Sequence, residues 1–159
     1  NKIIFYSGKA ELNPESEKAL NEVKNYLIDK SYISLLRIES HVAAVGSETS
    51  NLDLTKKRAK VVAQWLIKNG IDSNRLIAVY FGSSKPVAEN DTPEGRAANN
   101  RINFINAALK GRPIGGMPID GNGQVACYPC EATLTPPPIS LPDNSVEREI
   151  FRAGSKGGN

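Results

Sequence analysis

Apolar positions follow clear periods along the first two thirds of the chain and no period after that. The stretch KIIFY, residues 2–6, is short, β-branched and aromatic, and predicts a strand. Asn13-Pro14-Glu15 predicts a helix start: a capping asparagine, a proline at the first helical position and a carboxylate near the positive helix end. Ala19, Leu20, Val23, Tyr26 and Leu27 then recur at helical spacing. Residues 33–38 predict a second strand, which leads into a small, polar loop running to Asn51. In LTKKRAKVVAQWLIKNG, Ala59, Val62 and Leu66 share a face with help from Leu54 and Trp65, and Gly70 predicts a left-handed cap. RLIAVYFG, residues 75–82, predicts a third strand. A polar loop with Asn90-Asp91-Thr92-Pro93 and a short segment at residues 94–99 precede the strand RINFINAAL, where Ile102 and Phe104 share a side.

The order strand, helix, strand, helix, strand, strand predicts an α+β domain over residues 1–109, a βαβαββ unit. Its two helices lie on one face of a small mixed sheet. Residues 110–159 change character. GRPIGGMPIDGNG, CYPC and TLTPPPISLP are rich in Pro and Gly and lack either period. Such a stretch predicts an extended arm, and Ile114, Met117, Ile119, Leu134, Ile139 and Leu141 give it side chains to lay into another surface. SVEREIF, residues 145–151, predicts a brief helix capped by Ser145.

Charge changes this picture little. A net charge of +3 with lysines and glutamates interspersed implies no strong nucleic-acid or membrane field. Lys56-Lys57-Arg58 with Lys60 reads as a solvated helix face, because these residues point in different directions and no aromatic platform accompanies them. No apolar run approaches the roughly 20 residues that span a bilayer. Because the chain begins at Asn1, any leader or lipid anchor is expected upstream of it.

The order of motifs resembles the OmpA-like C-terminal domain, the periplasmic peptidoglycan-anchoring module of Gram-negative bacteria. The matching pieces are IFYSGKAEL leading to NPES, the run from Asn51 to Arg58-Ala59, NGIDSNRL, and TPEGRAANNRINF. The resemblance implies a periplasmic location associated with the outer membrane, and binding of a diaminopimelate unit of the peptide stem. In the family a Gly-His-Thr-Asp loop supplies the carboxylate that fixes the ligand's ammonium. Arginines near a helix N-terminus fix its carboxylate through charge-assisted bonds. Carried over by position, the resemblance marks His41, Asn51, Arg58, Asn99 and Arg101 as ligand-binding positions. The acid position is Ala43, and the first arginine of the closing Asn-Arg-Arg is Asn100. The anion half of such a site is therefore largely kept and the cation half lost, unless Glu48 or Asp53 stands in. Beside this reading, His41 can be a structural hydrogen-bonder at a strand end, and Arg58 and Arg101 can bond loop carbonyls instead of a ligand.

Cys127 and Cys130 admit a redox pair, two metal ligands or a local disulfide. A redox motif is expected at a helix N-terminus after a strand, and a structural zinc needs four ligands where the chain has two cysteines and one distant histidine. In the oxidising compartment that the resemblance implies, a disulfide closing a tight turn is favoured. No nucleophile elbow, phosphate-cradling glycine motif or paired carboxylates are present. The chain reads as a non-enzyme without metal or cofactor. Its expected role is a structural part of an envelope complex, with the arm gripping partner proteins. The design is similar to that of small lipoproteins in type IV secretion outer-membrane cores. The alternative is a working peptidoglycan anchor.

Overall fold

The protein is seen in a computed structural model that describes residues 2–114 and 123–131. Asn13 caps the first helical turn as predicted, its Oδ1 accepting the Glu15 N–H at 2.9 Å. The 3-10 turn Pro14–Ser16 runs directly into α1, Glu17–Asp29. After β1, Ile33–His41, the Ser47 hydroxyl accepts the Ser50 N–H at 3.1 Å and opens α2, Glu48–Lys68. This helix starts earlier than its apolar face predicted. A serine cap followed by Glu48 in the first turn is favourable without any apolar residue, so Asn51 lies on α2 and not in the loop. Gly70, just past the end of α2, has a φ of +106°, as its predicted role as a helix terminator requires. β2, Leu76–Tyr80, α3, Pro93–Asn99, and β3, Arg101–Leu109, follow. Two further strands, β4, Arg112–Pro113, and β5, Gln124–Cys127, complete the described residues.

The strands form one mixed sheet in the order β4-β3-β1-β2-β5. β1 and β2 are parallel, with α2 as their crossover, while β3 runs antiparallel to β1 and β5 antiparallel to β2. The α+β class with a helical layer on a mixed sheet is as expected. Strand alternation divides the interior into two clusters. Leu36 and Ile38 of β1 with Leu76 and Ala78 of β2 pack with Leu20 and Leu27 of α1 and Val62 and Leu66 of α2. Leu35, Ile77, Val79, Phe81 and Ala107 form the second cluster, on the other face of the sheet. Fully burying a side chain such as Leu36 or Leu66 contributes about 1.5–3 kcal/mol, so the helix-side cluster carries much of the stability.

Two expectations need correction. Residues 2–6 are not part of the sheet formed by the described residues, among which a single antiparallel bridge, Phe5 to Leu12, is their only strand-like pairing. Their backbone groups are satisfied elsewhere. The Ser16 hydroxyl accepts the Ile4 N–H at 2.7 Å and donates to the Ile4 carbonyl at 2.8 Å, and the Asn13 N–H reaches the same carbonyl. The described part of the segment 110–159 is not simply an external arm either. Gln124–Cys127 forms the sheet edge beside β2, and Cys130 is buried in the helix-side cluster. Cys127 and Cys130 are joined by a disulfide with Cα atoms 4.9 Å apart. Four residues of alternation among prolines and glycines are too weak a local signal for a strand; pairing with β2 supplies the missing stability. The expected helix at residues 145–151 lies outside the described residues.

Candidate functional site

The C-terminal end of β1 and the start of β3 meet in register, Ser40 opposite Ile102 and His41 opposite Arg101. A cleft of about 280 Å³ opens there. Ser40, Asn100 and Arg101 line it from the sheet and the α3–β3 junction, Arg58 from α2, and residues 2–5 from the N-terminal segment. Arg58, Arg101 and His41, three of the positions the resemblance marked, lie in its lining, with Arg101 paired opposite His41. A shallow groove of about 310 Å³ between α1 and β3, lined by Val23, Tyr26 and Phe104, has no basic residue in its lining.

Arg58 is turned inward. Its Nε donates to the Lys9 carbonyl at 2.9 Å and its Nη2 to the Tyr6 carbonyl at 3.3 Å. The guanidinium sits 4.7 Å from the Phe5 ring centroid, a cation–π contact. Burial pushes its pKa down to about 10, so it remains charged at neutral pH. Arg101 donates to the Lys85 carbonyl at 3.0 Å and at 3.4 Å to that of Asn99. Burial lowers its pKa too, partly offset by the negative charge of Glu39. Both arginines therefore bond loop carbonyls, the structural alternative stated above.

The acid position is closed. Ala43 is buried, and its N–H donates to Asn100 Oδ1 at 2.8 Å. The two departures from the family pattern, Ala43 for the acid and Asn100 for the first arginine, are thus hydrogen-bonded to each other. Neither proposed substitute reaches the cleft. Glu48 accepts from the Ser83 hydroxyl at 2.5 Å, from the Ser83 N–H at 3.1 Å and from Asn51 Nδ2 at 3.3 Å. Burial raises the Glu48 pKa, but these bonds outweigh it and hold the carboxyl below its ordinary value. Asp53 is solvent-exposed and pairs with Lys57 at 3.0 Å. Asn51 serves Glu48 rather than the cleft.

Asn99 is a staple. Fully buried, its Oδ1 accepts the N–H groups of Val87 and Ala88 at 2.7 and 3.0 Å, and its Nδ2 donates to the Ala88 carbonyl and Asn90 Oδ1, both at 2.9 Å. Asn90 in turn accepts the Ala44 N–H at 3.2 Å. The loop after β1 and the loop before α3 are held together by this chain of amides. Gly95 completes the fit, because a Cβ there would strike the Glu89 carbonyl.

Sequence reasoning missed one constellation. Arg37, Glu39 and His41 alternate along β1 and are all buried on the face away from the helices. Arg37 Nε donates to Glu39 Oε2 at 2.9 Å, and His41 Nε2 lies 3.3 Å from Glu39 Oε1. The His41 ring stacks on Phe81 with centroids 4.6 Å apart. Burial raises the Glu39 pKa, yet the hydrogen bond from His41 and the charge of Arg37 together bring it below its ordinary value. His41 is thereby held between Glu39 and Phe81, while its Nδ1 has no hydrogen-bond partner among the described residues. The signal was present as three ionisable residues at a strict two-residue spacing, beginning in the predicted strand 33–38 and running three residues past it. Among the described residues no group of three His, Cys, Asp or Glu side chains can hold a metal ion, and no helix is long and apolar enough to cross a membrane.

The chain is 35% identical over 103 residues to the peptidoglycan-binding protein ArfA of Mycobacterium tuberculosis, a match covering 65% of this chain and 31% of ArfA. It is 32% identical over 105 residues to the outer-membrane lipoprotein YfiB of Pseudomonas aeruginosa, covering 66% of this chain and 62% of YfiB. The match thus spans about a third of ArfA and under two thirds of YfiB. Among solved structures, the peptidoglycan-associated lipoprotein of Burkholderia pseudomallei superposes with a TM-score of 0.58 at 25% identity, over 65% of this chain and 86% of that one. The cell wall anchor of the type VI secretion system of Pseudomonas aeruginosa gives a TM-score of 0.56 at 26% identity, over 66% of this chain and 75% of that one. The family profile matches residues 4–101, more than half of the chain, and the protein belongs to the OmpA family.

Proposed function

We propose that the chain is a non-catalytic structural component of a cell-envelope complex, built on an OmpA domain that has lost its grip on the peptidoglycan stem. One observation carries this reading: the position of the ammonium-binding acid is Ala43, and its backbone is locked to Asn100. A charge-assisted hydrogen bond is worth about 1.5–3 kcal/mol, so its loss weakens a ligand roughly ten- to a hundred-fold. The names of the relatives, an outer-membrane lipoprotein and a cell wall anchor of a secretion system among them, support a place in the periplasm at the outer membrane. Within that setting we propose a place in an outer-membrane secretion core of the type IV kind, on the Pro-rich, apolar-punctuated residues beyond 110.

The competing reading is a working anchor that binds diaminopimelate. It is favoured by the retained Arg58 and by relatives named for peptidoglycan binding. Binding to isolated sacculi and to free diaminopimelate separates the two. The native chain is expected to be inert, and Ala43→Asp is expected to gain binding by at least about tenfold. If the native chain binds and Arg58→Ala abolishes that binding while the melting curve stays cooperative, the anchor reading replaces ours.

A further inference from the structure

The outer edge of β3 is open over most of its length. The Phe81 N–H donates to the Ser40 carbonyl and the Val42 N–H to the Gly82 carbonyl, so the even-numbered residues of β1 turn their backbone groups toward β2. Arg37, Glu39 and His41 therefore turn theirs toward β3, opposite Ile105, Asn103 and Arg101. That leaves Ile102, Phe104 and Asn106 with N–H and C=O pointing away from β1. β4 covers only the far end of this row, pairing with Ala108 and Leu109, while the Ile114 N–H reaches the Ala107 carbonyl. Among the described residues no strand lies beside residues 102–106. Edge strands are commonly blunted by proline, lysine or short length, as β4 is by Pro113 and its two residues. The run INFIN carries no such device.

The side chains of this row face the helices, since Phe104 lies opposite Ile38 and Asn106 opposite Leu36, both of the helix-side cluster. There the groove of about 310 Å³ runs between α1 and β3, with Val23, Tyr26 and Phe104 as apolar walls. Asn106 Nδ2 donates to the Tyr26 hydroxyl at 2.9 Å and ties its two sides together. Glu22 is its acidic lining residue, and no basic one is present. A free row of backbone groups beside an apolar groove is what strand addition uses: the main chain extends the ladder and alternate side chains fill the groove. We propose that β3 takes up an extended segment of a partner protein, antiparallel as β4 is, with apolar residues at alternate positions and a lysine or arginine in the same row for Glu22. A second copy is the poorer occupant. Its β3 presents Ile102, Phe104 and Asn106 on the helix side, and its β5 holds no basic residue. The inference rests on the structural reading of the function above and names the surface by which the domain holds another protein.

The test is an NMR titration of the 15N-labelled chain with acetyl-Thr-Val-Thr-Leu-Thr-Lys-Thr-amide, a probe with that alternation. Saturable shifts of the Ile102, Phe104 and Asn106 amides, and slower hydrogen exchange at them, are expected. Residues opposite these in an antiparallel pair turn their own N–H groups toward β3 and share their side-chain face. N-methylation of the probe's Val, Leu and Lys is therefore expected to weaken binding at least about tenfold, and N-methylation of its Thr residues far less. Glu22→Lys, a change on the exposed side of α1, is expected to bind the probe up to about fivefold more weakly, and to prefer the probe with Glu in place of Lys. No shift at these amides, equal binding of Thr-Thr-Val-Leu-Lys-Thr-Thr, equal losses from the two N-methylated probes, or an unchanged affinity in Glu22→Lys overturns the inference. So does slow exchange of the three amides in the free monomer, because another part of this chain then already pairs with them. A dimer by sedimentation whose dissociation restores fast exchange overturns it in favour of a second copy. Each of these leaves the structural reading standing, because binding to sacculi tests that reading by itself.

Discussion

Asn99→Ala is expected to lower the unfolding free energy by about 3 kcal/mol while changing no ligand contact directly. The side chain is fully buried and makes four hydrogen bonds, two as acceptor and two as donor. Alanine leaves the N–H groups of Val87 and Ala88 and the carbonyl of Ala88 without that partner. Each stranded buried group costs about 1–3 kcal/mol, reduced here because the loop is partly exposed and water can reach some of them. The loop is also the support for Ala44, through Asn90, so the end of β1 should loosen with it. Asn99→Asp keeps the acceptor but loses both donors and buries a charge, and is expected to be no better. Urea unfolding of the three proteins checks this. If Asn99→Ala unfolds like the parent and only binding suffers, Asn99 is a ligand residue, as the family motif implied, and not a staple.

Glu39→Ala is expected to cost about 3–5 kcal/mol, the range for breaking a buried charge pair by removing one partner. Glu39 is the acceptor shared by Arg37 and His41 in the middle of a buried face. Its pKa also dictates a pH dependence. The folded-state value lies below the ordinary 4.5, so the unfolded chain binds the proton more tightly. The contribution of Glu39 to stability is therefore fully present above that ordinary value and is lost as the pH falls through the folded one. Glu39→Gln removes this titration, so the loss of stability on going from neutral to acid pH should be smaller in the variant than in the parent. Glu48 is lowered in the same direction and leaves a residual slope in both. Equal losses in parent and variant would show that the Glu39 pKa is not lowered on folding.

That alanine stands at the family's acid position was legible because it is a question of residue type at a known register. Ala43 follows His41 by two, whatever the fold does around it. What Arg58 does was not legible. A guanidinium on α2 is equally suited to a ligand carboxylate or a main-chain carbonyl, and only the path of residues 6–9 over the helix decides for the carbonyls. The same holds for Asn99, whose four partners come from a loop with no pattern of its own.

By itself the sequence determined the elements whose signals are local: α1 through Asn13, Pro14 and its apolar spacing, the end of α2 through Gly70, and β1, β2 and β3 through their apolar runs. These need only neighbours within a turn or a strand, so short-range patterning specifies them. Tertiary structure alone decided the elements whose backbone partners are distant. KIIFY has strand composition but gives its hydrogen bonds to Ser16, Asn13 and Arg58, and so leaves the sheet. QVAC has almost no strand signal yet becomes the edge strand, because β2 offers it a free row of backbone groups and the helix-side cluster takes up Cys130. The cleft belongs to the second kind. Its residues come from four separate parts of the chain, and only the meeting of β1, β3, α2 and the N-terminal segment gives it a charge and a shape.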